Sequence, residues 1–218
     1  MRKKYKLGIA FGGGGARGYY HGGVLKRLLE LGYRPDMVSG TSVGSIIAAM
    51  YAQGLSIEEM LEAFRELNLK DFLEPRLPKE FLVDSKPVRK ILEQTLKAKT
   101  FEELKIPLKV VATCLETAKE VVFDSGPLID AILASCSIPV VFPPVKINGK
   151  HYVDGGVIRN VPVLPIREEC KKVFALNLFP EPERDTKYTG SMKYIAERCV
   201  TMLFNANASY DMDLADLV

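Results

Sequence analysis

The stretch LGIAFGGGGARGYYHGGVL, residues 7–25, constrains the fold more than any other part of this 218-residue chain. A short apolar run ends in four consecutive glycines. Ala16-Arg17-Gly18 follows, and then a pattern with apolar positions at Val24, Leu25, Leu28 and Leu29. Strand into glycines into helix leaves backbone N–H groups unobstructed at a helix N-terminus, where the dipole favours negative charge. The group they face could be a resident phosphate or an oxyanion that exists only during a reaction.

Strand and helix signals alternate along the chain. Residues 5–11 read as a strand, 19–31 as a helix, 37–39 as a brief strand and 43–53 as a second helix. Ser56-Ile57-Glu58-Glu59 is a capping box that opens a third helix running to about residue 67. Residues 84–99 form a fourth, with Asp84 or Ser85 as N-cap and a proline in the first turn. Strands follow at 107–117 and 119–124, then a helix at 127–137 and a hairpin at 145–156 turning at Asn148-Gly149. A buried strand at 171–179 and a helix at 191–210 complete the pattern. Near-continuous apolar strands between helices predict a single domain over 1–218: a three-layer α/β/α sandwich on a central, mostly parallel sheet. Two loops stand out, the proline-interrupted 69–85 and SIPVVFPPV at 137–145. Each reads either as packing on the body or as a lid or acyl-chain wall; in the first, Phe72, Leu77, Phe81 and Leu82 would meet lipid.

Gly13-Gly14-Gly15-Ala16-Arg17-Gly18 satisfies the dinucleotide pattern G-x-G-x-x-G. That reading also requires an acidic residue at the end of the second strand, and the nearest, Asp36, precedes that strand. The second strand ends instead in Gly40-Thr41-Ser42-Val43-Gly44, a G-x-S-x-G pentapeptide between strand and helix, where a nucleophile elbow belongs. Ser42 is the candidate nucleophile, and the N–H groups of Gly13, Gly14 and Gly15, one strand over, are candidate oxyanion donors. Arg17 could reinforce that charge, hold a substrate phosphate, or be an ordinary surface arginine.

The base discriminates between hydrolase types. An α/β-hydrolase places several strands before its elbow and orders its triad Ser, acid, His; here one strand precedes the elbow and no histidine follows Asp154. His21 and His151 could act as bases, although structural or surface roles suit them better. The other candidate is Asp154, whose neighbours Gly155 and Gly156 permit close backbone approach. A carboxylate base predicts a rate that rises through a carboxylate pKa, with burial moving it toward the imidazole range.

With these three motifs in this order, the chain resembles the patatin-like phospholipase family. ASCSIPVVFPPV (134–145) and NVPV (160–163) support the match, which covers about residues 5–180. The resemblance implies a Ser42–Asp154 dyad acting on lipid acyl esters, with the Gly13–Gly15 loop as oxyanion hole, and a fold related to the cytosolic phospholipase catalytic domain. It implies no calcium, other metal or cofactor. Transacylation from the same acyl-enzyme is an alternative, as is a low-turnover regulatory lipid-binding module. Many bacterial relatives continue past the equivalent of residue 218, so an ending in DMDLADLV suggests a truncated chain or a short member.

Composition narrows the remaining classes. A net charge of +3, with acidic and basic residues mixed, carries no nucleic-acid footprint. Cys114, Cys136, Cys170 and Cys199 lack the close spacing of a metal or redox site and read as reduced, mostly buried thiols. With no secretory leader and no segment of membrane-spanning length, the expectation is a cytoplasmic protein, with peripheral membrane contact left open. Composition carries no information on oligomeric state.

Overall fold

Strands β1 (Tyr5–Phe11) and β2 (Met37–Thr41) are buried along nearly their whole length, so their apolar runs serve both faces of one sheet. The structure, a computed structural model, describes residues 3–66, 85–179 and 190–218. Residues 69–84 of the first proline-interrupted loop, with Asp84 and the proposed lid residues, lie outside the described part.

Beside these run β3 (Leu108–Cys114), β4 (Lys119–Phe123), β5 (Val145–Ile147), β6 (Lys150–Asp154) and β7 (Cys170–Leu176). The sheet order is β5-β6-β3-β2-β1-β7, with β4 also paired to β3. Neighbours among β3, β2, β1 and β7 are parallel, while β4, β5 and β6 enter through antiparallel pairings. The expected sandwich with a mostly parallel centre is therefore present. Helices α1 (Tyr19–Glu30), α2 (Val43–Gln53), α3 (Ile57–Glu66), α4 (Lys86–Thr95) and α5 (Leu128–Ser135) cover one face. There Ile9, Phe11, Val38 and Val110 from the strands pack against Leu25, Ile47, Met50, Leu92 and Ile132. On the other face Ala10, Met37, Val173 and Ala175 meet the short α6 (Leu164–Arg167) and α7 (Met192–Asp213).

Several boundaries differ from the sequence expectation. β2 runs two residues further, to Thr41, because Gly40 and Thr41 still pair with Val110 and Val111 of β3. α4 stops at Thr95, where Leu96 turns extended and is buried. The capping box forms as expected: Glu59 N–H donates to Ser56 Oγ, and Ser56 N–H to the Glu59 carboxylate. The hairpin turns at Asn148 and Gly149, both at positive φ, as a primed turn requires.

One topological detail positions the site. β4 occupies one edge of β3 over Val110–Cys114, so β2 and β6 must share the other edge. Thr41, the end of β2, pairs with Val111, and Asp154, the end of β6, pairs with Ala112. Two strands of opposite direction thus meet tip to tip beside adjacent residues of β3.

Candidate active site

Ser42 stands at the turn from β2 into α2, with φ 55 and ψ −131. A non-glycine residue held there carries about 1–3 kcal/mol of backbone strain, which the surroundings must enforce. They do so by close approach. A Cβ on Gly40 would lie 2.5 Å from Gly44 O and Ser45 Cα, and one on Gly44 would lie 2.1 Å from Phe11 O. Both glycines are thus needed for space, with no positive φ at either. The Ser42 N–H donates to Ser135 Oγ (2.8 Å), and that hydroxyl donates onward to Val111 O (2.6 Å). The Ser42 carbonyl accepts from Ser45 N (2.8 Å) and Ser45 Oγ (2.6 Å). The backbone is thus fully engaged, while the Ser42 side chain makes no cap bond to α2.

Asp154 is fully buried at the facing strand tip. Its N–H donates to Ser137 O (2.9 Å), and its Oδ1 accepts from Gly156 N–H (2.8 Å). Oδ2 completes no hydrogen bond among the described residues. Burial pushes this carboxyl up to about 7, against the opposing pull of the Ser42 side chain and the Gly156 N–H. Gly155 is again required by space, since a Cβ there would lie 2.3 Å from Val111 O, whereas one on Gly156 would lie 3.0 Å from the Phe204 ring of α7, which would have to shift by a few tenths of an ångström.

The glycine loop leaves β1 directly beside the elbow. A Cβ on Gly13 would sit 3.2 Å from Ser42 Cβ, and one on Gly18 would sit 2.1 Å from Val43 Cγ2. Gly15–Gly18 form a 3₁₀ turn that runs into α1. The loop offers fewer donors than its glycines suggest, because the Gly13 N–H already donates to Asn160 O (3.0 Å). The N–H groups of Gly14 and Gly15 have no acceptor among the described residues, and Gly15, at φ 55, faces open space.

The remaining sequence candidates lie elsewhere. Arg17 is exposed, with its guanidinium over the Phe179 ring (5.6 Å to the centroid) and its Nη1 3.4 Å from Leu178 O; neither contact is with Ser42 or Asp154. His21 is buried, with Nε2 2.8 Å from Gly12 O and its ring edge-on to Phe11, and burial pushes its pKa down to about 4. It braces the loop as a neutral imidazole. His151 pairs with Glu116 (2.7 Å) on the surface. All four cysteines are free thiols, but only Cys114 and Cys170 are buried; Cys136 is half-buried beside Ser45, and Cys199 is exposed.

Three residues emerge to which the sequence reading assigned no role, although all lie in the two stretches that support the family resemblance. Ser135 and Ser137, at the end of α5, accept from the Ser42 N–H and the Asp154 N–H, so one short segment ties residue 42 to residue 154. Asn160, in NVPV, is fully buried, and its amide has no partner among the described residues. A strained serine at the end of β2, two open amides just after the parallel β1 and a buried carboxyl at the end of the antiparallel β6 have the layout of a nucleophile elbow in an α/β protein.

Comparisons with known proteins show the family and the fold. The family model for patatin-like phospholipase matches residues 9–166, and the chain belongs to that family. It is 32% identical over 163 residues to an uncharacterised NTE family protein of Mycobacterium tuberculosis, covering 74% of this chain and 45% of the relative. It is also 32% identical over 193 residues to human patatin-like phospholipase domain-containing protein 6, covering 84% of this chain and 14% of the relative. The chain therefore spans less than half the length of these relatives. VipD from Legionella pneumophila shares the fold, with a TM-score of 0.58 at 16% identity over 79% of this chain and 49% of that one.

Proposed function

We propose that this chain is a lipid acyl-ester hydrolase in which Ser42 attacks the ester and Asp154 moves the proton. The observation that carries the reading is the tip-to-tip junction of β2 and β6, which sets an uncapped serine hydroxyl against a carboxylate with a free Oδ2. Asp154, as carboxylate, takes the proton from Ser42 Oγ as the oxygen bonds to the ester carbonyl carbon. The tetrahedral oxyanion accepts from Gly14 and Gly15 N–H, at the head of the turn leading into α1. Collapse breaks the carbon–oxygen bond to the alcohol, which leaves with the proton held by Asp154. Water then gives its proton to Asp154 and attacks the acyl-Ser42, and the fatty acid departs as Ser42 is reprotonated. Gly13 shapes the loop in this scheme and donates nothing to the oxyanion. Arg17 holds the loop rim to Leu178 and Phe179, from which it could reach a substrate phosphate.

Lipid as the substrate class is supported by the family and by the relative named as a patatin-like phospholipase domain-containing protein. Tyr19 and Tyr20, stacked at 4.5 Å and exposed at the start of α1, add an apolar rim beside the loop. Among the described residues no helix is long and apolar enough to cross a membrane. The test is fatty-acid release from a panel of phospholipids, lysophospholipids and neutral glycerides, with Ser42→Ala alongside. Release by the parent protein that falls to background in the variant supports the reading. Equal release by both, or none from any lipid, contradicts it.

A further inference from the structure

Among the described residues, Asn160 lies beside the glycine loop with no hydrogen-bond partner for its side chain. Its backbone is held firmly: on either side of it, Thr41 Oγ1 donates to Arg159 O (3.0 Å) and Ser39 Oγ to Pro162 O (2.6 Å), which sews this segment to β2. Its own carbonyl accepts from Gly13 N–H, a contact that any residue type could make. The side chain, by contrast, is fully buried with both Oδ1 and Nδ2 unpartnered among the described residues. Native interiors rarely leave a buried amide in that condition without a reason.

Its position supplies one. The point where a Gly13 Cβ would stand is 2.6 Å from Asn160 Oδ1 and 3.2 Å from Ser42 Cβ. Amide, glycine and nucleophile are therefore contiguous, and Gly13 lacks a side chain at the place where one would separate the other two. An Asn amide presents two N–H donors, and rotation about its last torsion exchanges oxygen for nitrogen on the Ser42 side. A donor that is unpaired in the resting site and paired only when charge develops is the arrangement that lowers a barrier without tightening ground-state binding.

We infer that Asn160 is a third oxyanion donor, its Nδ2–H engaging the oxygen of the tetrahedral intermediate on Ser42 together with Gly14 and Gly15. Asn160 thereby withdraws one donor, the Gly13 N–H, through its carbonyl and supplies another through its amide. The inference deepens the hydrolase reading above and rests on it.

Asn160→Leu and Asn160→Asp test it, assayed on a soluble short-chain ester beside the parent and Ser42→Ala. Leu approximates the shape of Asn without polar atoms, and Asp keeps the shape without the N–H donor. Both should lose kcat by about 100-fold or more while KM stays within about threefold. The thermal midpoint of the Leu variant should match or exceed that of the parent, because a buried unpaired amide has been removed. A purely structural amide predicts the reverse, a lower midpoint with kcat preserved in the folded fraction. Should Asn160→Leu fail to fold, Asn160→Ala, which removes the donor and adds no charge, decides in its place. Ser42-dependent turnover with parental kcat in the folded Asn160 variants overturns this inference and leaves the hydrolase reading intact. Turnover that persists in Ser42→Ala overturns both.

Discussion

Asp154 has a carboxyl buried where a carboxylate is most costly to keep, and both stability and rate should show it. Its pKa, raised from the ordinary 3.8 to about 7, means that the folded protein retains a proton the unfolded chain has already lost. The sign follows from linkage: below pH 3.8 Asp154 has no effect, between pH 3.8 and 7 stability falls as pH rises, and above 7 the penalty is constant. Asp154→Asn should therefore raise the thermal midpoint at pH 8, and the gain should vanish toward pH 4, as measured by calorimetry across that range. Activity should move oppositely. The rate should rise with pH through about 7, and Asp154→Asn should lower kcat by about 100-fold or more, the usual scale for a positioned base. His151→Ala, on a surface side chain, should stay within several-fold of the parent. A base other than Asp154 would leave Asp154→Asn active, so the substitution, and not the profile alone, tests the assignment. His21 contributes the opposite stability trend: it is held neutral down to about pH 4, so its share of stability is full above about 6.5 and is lost as pH falls through 4.

At the scale of elements, the end of α5 holds the site together. Ser135 sits 93 residues from Ser42 in sequence and 24 from Val111, yet its hydroxyl joins the elbow to β3. Ser135→Ala leaves a buried N–H and a buried carbonyl unpaired, which should cost about 1–3 kcal/mol in denaturant unfolding. It should also lower kcat more than it changes KM, because the elbow loosens while the binding surface stays. An effect on KM alone would show that Ser135 shapes substrate binding instead. Such roles could not be read from sequence, because periodicity and turn chemistry report neighbours within a few residues and Ser135 acts across the sheet. Gly40 and Gly44 were legible because their task is local, a sharp strand-to-helix turn. The donor count of the glycine loop was not, since it depends on the Asn160 carbonyl arriving from the far side of β2. α7 was legible as a helix, but not as the brace that sets Phe204 over Gly156 and Asp211 against Arg159.

Across the whole molecule, alternating strand and helix signals were enough to indicate the layers, because central parallel strands buried on both faces leave long apolar runs. Sequence did not disclose how β6 joins the sheet. Sharing an edge of β3 with β2 is a property of tertiary pairing, and it is what brings residues 42 and 154 together. On the proposed reading, Ser42 carries the one activated hydroxyl of the chain. Fluorophosphonate labelling of the intact protein, followed by peptide mapping, tests this most directly. The strained elbow, the carboxylate at its side and the open amides of the loop predict a single adduct on Ser42, formed much more slowly in Asp154→Asn. An adduct on Ser45, Ser135 or Ser137 instead, or no adduct on the folded protein, would contradict the account.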